Sequence, residues 1–386
     1  MTNTTNKQLI GKTMRTVGLL AAAAIMTAAI PASKAAETPG SPVIMKGADV
    51  LVLSDLAKIR NSSINQEIEK LQEDAGDSSQ TPFNVEKYEE LGQQLQEITG
   101  LTENDFKSFA IAGKLDNVEL TKNTDIQELN IAFALNLAKP LPLDKLEEGL
   151  RKAAAANEDV ENATFERTSI GKHDVLAVKN DQEETNLEQL LFASVQGNKT
   201  ILGGTQTGIT SALDRIDNDA ILSVDEEFGG WPQEEGIPHT GVIFNPTREM
   251  LNKAKKLAET TQQQRSQQQP QDQTKEAFIK ILPHIERLVL TVDCTDKMYF
   301  NLHGVMDSAQ QAEKLTSLLR QPVISMTQAT LTMLTGGKRL NLTQSLNAEV
   351  KDNTHSVLSF QLSSDDLKTL QEMNKKRAQG SNSKGS

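Results

Sequence analysis

The chain has 386 residues, a formal charge of −12 and one cysteine. An acidic surface repels phosphate backbones and anionic lipid, so nucleic acid and direct membrane adsorption are not expected partners. A lone cysteine rules out an intramolecular disulfide and leaves an apolar core to hold the fold.

Lys7, Lys12 and Arg15 precede the apolar run Val17–Ile30, and Pro31–Ala35 supplies small residues before a cut after Ala35. That order is a secretory signal peptide over residues 1–35, and it predicts an extracytoplasmic protein, periplasmic or secreted. The run falls short of the roughly 20 residues of a spanning helix, and no later segment is long and apolar enough to cross. No membrane span is expected after cleavage.

The first half, residues 48–217, opens with a strand over Asp49–Ser54 that enters a helix near Leu56, with Ile64, Ile68 and Leu71 on one face. A second helix carries Val85, Tyr88, Leu91, Leu95 and Ile98 and stops at Gly100. Thr102 and Asp105 make a T-x-x-D capping pattern. Strands over Phe106–Leu115 and Glu128–Ala138 alternate, and a helix carries Leu143, Leu146, Leu150 and Ala154. Two hairpins follow, turning at Gly171-Lys172 and Gly197-Asn198. In Gly203–Gly208, Thr207 reads as the cap of a helix through Leu213 and Ile216; a backbone anion cradle is the weaker reading, because the lysine of a phosphate loop is missing.

Residues 218–238 form a connecting loop. The second half, 239–373, repeats the order: a strand over Thr240–Phe244, a helix after Asn245-Pro246, a glutamine-rich insertion at 262–273, and a strand pair at Leu288–Cys294 and Met298–Met306. A helix then starts at Ser308, an apolar segment at Val323–Leu334 reads as a buried helix, and strands at Leu340–Val350 and His355–Leu362 lead to a closing helix with Leu367, Leu370 and Met373. Residues 374–386 read as a disordered tail. The expected fold is α+β, with two tandem similar halves from an internal duplication. Each half is a mainly antiparallel sheet covered on one face by helices.

No nucleophile motif or metal-ligand spacing stands out. His173, His239, His284, His303 and His355 are scattered, so no catalytic residue, metal or cofactor is assigned. Cys294, in the run Leu288, Leu290, Val292, reads as a buried strand residue; His303 is the histidine placed across its hairpin. The candidate binding residues are Trp231, Glu234, Glu235 and His239 in the connecting stretch FGGWPQEEGIPH, where a tryptophan beside carboxylates suits a sugar or peptide. Adjacent carboxylates point apart in most backbones, which disfavours acid/base work there.

The leader, the opening strand ADVLVLSD, the stretch Thr99–Thr102 with Asp105 shortly after, and the two α+β halves resemble a broad set of uncharacterised exported bacterial proteins. The resemblance implies the location and the layout, and carries over no functional residue. The expectation is an exported, non-catalytic binding or structural protein of the bacterial cell envelope, with a protein, peptide or lipid partner. A carrier or chaperone for apolar cargo is the alternative, and a hydrolase using the acidic loop near Trp231 the weaker one.

Overall fold

The computed structural model describes residues 41–75, 96, 99–114, 130–155, 163–180, 190–229, 231, 238–265, 277, 279–320 and 347–369. The expected signal segment 1–35, most of the helix expected to carry Val85 to Ile98, the apolar segment Val323–Leu334, most of the glutamine-rich insertion and the tail 374–386 lie outside them.

The chain opens with β1 (Val50–Asp55), whose last residue caps α1 (Leu56–Asn61): Asp55 Oδ1 accepts the Lys58 N–H at 2.9 Å. The sequence suggested one helix from Leu56 onward, but Ser62 breaks it. Ser62 has an extended ψ of 144°, donates its hydroxyl to the Ile59 carbonyl at 2.7 Å and accepts the Asn65 N–H at 3.3 Å. One serine thus closes α1 and opens α2 (Ser63–Ala75).

The remaining elements are β2 (Phe106–Lys114), β3 (Asn130–Leu137), α3 (Leu143–Ala155), β4 (Ala163–Ile170), β5 (His173–Asn180), β6 (Leu190–Val195), β7 (Thr200–Gly204), α4 (Gln206–Asp217) and α5 (Val224–Phe228). They are followed by β8 (Thr240–Phe244), α6 (Arg248–Arg265), β9 (Ile285–Cys294), β10 (Met298–Met306), α7 (309–320), β11 (Asn347–Lys351), β12 (His355–Leu362) and α8 (364–369). The mixture is α+β, and its strands form one large antiparallel sheet.

The sheet order is β11-β12-β10-β9-β8-β1-β2-β3-β7-β6-β5-β4. The expected pair of sheets is therefore joined: β1 pairs antiparallel with β2 on one side and with β8 on the other, Val52 facing Val242. Both strands open their stretch of sequence and both are apolar on the two sides, so each can be a central strand.

Helices were expected on one face only, yet β2 and β3 are covered on both faces. Alternation explains it. One face of β2 and β3 carries Ala110, Ala112, Ala132 and Ala134; the other carries Phe109, Ile111, Phe133 and Leu135. Neither face suits water. The large face takes α1 and α3. The small face takes α4, α5 and the segment 41–48, whose Val43 and Ile44 are wholly buried. That segment is pinned by Arg215 Nε donating to the Pro42 carbonyl at 2.8 Å and by the Gly47 N–H on Glu227.

Gly204 and Gly208 let α4 lie directly on β3. A Cβ at either would strike the Ile131 backbone, and Gly204 holds a φ of 151°. The helix cap is Thr205, not Thr207: its Oγ1 accepts the Gly208 N–H at 3.3 Å and its own N–H reaches the Ile131 carbonyl at 3.0 Å. Close packing accounts for this glycine run without an anion.

Candidate functional site

Trp231 and His239 flank the entry to β8. A Cβ on Gly241 would collide with the Trp231 ring and crowd Pro238, so the missing side chain makes the bed on which the indole lies. Trp231 is half-buried against the main core, and its Nε1 is buried without a hydrogen-bond partner. Glu234 and Glu235 lie outside the described residues.

His239 is held by three hydrogen bonds to two strands, β1 and β9. Its N–H donates to Asp293 Oδ1 at 3.1 Å, its carbonyl accepts the Asp55 N–H at 2.7 Å, and its Nδ1 accepts the Cys294 N–H at 2.8 Å. An Nδ1 that accepts an amide proton carries none itself. The 3.3 Å approach of Asp293 Oδ1 to the same nitrogen is therefore proximity, not an ion pair. Burial pushes the imidazole below its usual range, against the pull of Asp293. Neutral His239, protonated on Nε2, ties β8 to β9.

The histidine near Cys294 is this one. His303 faces Val289, while Cys294 faces Met298, so the hairpin register sets His303 and Cys294 five positions apart. Cys294 is 6 % exposed, and burial pushes its thiol up to about 11. It is a packed thiol and not a nucleophile.

Register extends the Trp231 side of the sheet into a polar face that sequence reading missed. Gly241 faces Thr291, Thr291 faces Asn301, Asn301 faces Ser359, and Ser359 faces Asn347. Facing residues share a side, so Thr291, Asn301, Ser359 and Asn347 form one row running across the strands from the Trp231 bed. The neighbouring row is Asp293, Tyr299 and Gln361. Thr291 is buried, Asn347 is exposed, and Asn301, Ser359, Tyr299, Asp293 and Gln361 are half-buried. Alternation within β9, β10 and β12 was the available signal; the pairing that assembles the rows was not.

The opposite side of the same strands is apolar. Val242, Phe244, Val292, Phe300, Leu302, Phe360 and Leu362 are half-buried there, and Leu290 is 37 % exposed. Phe300 and Phe360 stack with centroids 4.6 Å apart. Among the described residues no group of three or more His, Cys, Asp or Glu is placed to hold a metal, and no helix is long and apolar enough to cross a membrane.

No family model and no curated protein matches this chain. Among solved structures it is similar to crystal form I of TP0453, at 10 % identity over 88 % of this chain and 99 % of that one, with a TM-score of 0.37. A likeness of that size transfers neither ligand nor activity.

Proposed function

We propose that this is an exported, non-catalytic binding protein of the bacterial cell envelope, built by duplication of an α+β unit. The observation that carries the binding role is the half-buried polar face beside Trp231. The groups nearest a catalytic pattern, His239 and Asp293, bond instead to backbone N–H groups, which suits holding a surface rather than moving protons. Export rests on the leader at 1–35. The duplication is supported by strand order. Outward from the β1–β8 seam, each half runs first strand, second strand, third strand, last strand: β1-β2-β3-β7 and β8-β9-β10-β12.

The test sets binding against turnover. Purified protein mixed with envelope polysaccharide, peptide or lipid is expected to co-sediment saturably with one of them and leave its composition unchanged. Product release that stops in His239→Gln would replace binding with catalysis.

A second reading, a carrier of apolar cargo, is favoured by Leu290 and the Phe300–Phe360 stack on the opposite face. It predicts displacement of a fluorescent fatty acid, weakened by Leu290→Lys. A protein that never takes up the probe would end that reading and leave the first in place.

A further inference from the structure

We infer that residues 41–45 form an exchangeable arm, and that the groove it fills is an interaction surface for the same arm of a second copy of this chain. Ser41, Pro42, Val43, Ile44 and Met45 are all buried, yet none lies in a helix or strand. Val43, Ile44 and Met45 share one apolar cluster with the alanines of β2 and β3, Ile209 and Leu213 of α4 and Phe228 of α5.

Two side chains hold this stretch, and both grip main-chain atoms. Arg215 donates to the Pro42 carbonyl, and Glu227 accepts the Gly47 N–H. The Ser41 hydroxyl makes no hydrogen bond, and Arg215 Nη2 is buried without an acceptor. Apolar burial is therefore the main hold on the arm, and it is the same whichever copy supplies the side chains.

The arm ends at an exposed hinge. From Asp49 onward the chain is fixed: its N–H donates to the Gly113 carbonyl at 2.8 Å and its carbonyl accepts the Asn245 N–H at 2.7 Å. Before it come Lys46 and Gly47, the exposed residues of 41–48. Gly47 holds a φ of 69°, and the Ala48 N–H closes a turn on the Met45 carbonyl at 3.1 Å. That turn sends the arm back onto its own body. Extended instead, residues 41–48 span about 27 Å, enough to enter a neighbouring groove. Exchange rebuilds the apolar contacts in trans, so hinge geometry and concentration decide between one copy and two. The sheet edges are poorer contacts, since β4 carries Glu166 and Arg167 and β11 carries Glu349 and Lys351.

Gly47→Pro tests the hinge in the full exported chain. Proline fixes φ at about −65°, which forbids the left-handed turn and suits an extended linker. The variant should show twice the parent's mass in light scattering. Adding Ile44→Asp, an arm that no groove can bury, should restore the parent's mass. The parent offers a second measurement that needs no substitution. Warmed to just below its melting temperature with excess dye-labelled peptide of residues 41–48, then cooled and gel-filtered, it should retain one peptide per chain. The peptide carrying Ile44→Asp should wash out. A folded Gly47→Pro variant with the parent's mass, or a parent that retains no peptide, would overturn the exchange. The ligand-binding role proposed above stands or falls separately, by co-sedimentation.

Discussion

At the scale of single residues, His239 and Cys294 show how burial decides chemistry. His239 gives its Nδ1 to the Cys294 amide, so His239→Ala strands a buried N–H and should cost about 1–3 kcal/mol, read from chemical denaturation. The same burial gives stability a pH dependence. The folded imidazoles of His239 and His355 sit below 6.5, each mainly through desolvation. The unfolded chain therefore binds protons that the folded one refuses. Their contribution is complete above 6.5 and declines as pH falls from there through the lowered folded values. Melting temperature should drop between neutral and mildly acidic pH, and His239→Gln should flatten part of that drop. At Cys294 the thiol stays protonated and enclosed at neutral pH, so a bulky thiol reagent should label it only after denaturant is added. Fast labelling of native protein would contradict the burial.

Among elements, α4 and its glycines make the sharpest test. Gly208→Ala places a methyl against the Ile131 carbonyl, and neither backbone can yield without lifting α4 from β3. A loss of about 1–3 kcal/mol is expected, the range for overpacking a close contact. Thr205→Ala removes the cap and leaves the packing, and should cost about 1 kcal/mol. A Thr207→Ala change should be close to silent by the same measurement. The contrast separates the residue that caps from the one whose position in the sequence suggested it.

For the whole molecule, the seam between β1 and β8 is decisive. β1 is hydrogen-bonded on both sides, so Val52→Pro removes a ladder donor from a central strand and sets the ring against its neighbours. The parent should unfold in one calorimetric transition, since the sheet and the large core cluster run through the seam. Two separated transitions would mean that the halves fold independently.

Much of this was legible in the chain. Period-two alternation located β2, β3, β9 and β10, the turn at Gly171-Lys172 located a hairpin, and Thr102 with Asp105 located a one-turn helix. These signals are local, because side-chain direction follows directly from backbone geometry. Sequence alone also held the acidic charge and the missing disulfide. Tertiary structure decided what depends on partners distant in the chain: that β1 meets β8, that the alanine face of β2 and β3 receives α4 and residues 41–48, and that His239 rather than His303 engages the Cys294 backbone. It also gathered Thr291, Asn301 and Ser359 into a row leading from the Trp231 bed. Alternation says which side of a strand is polar but not which strand lies next to it, so a surface assembled across strands exists only once they have paired.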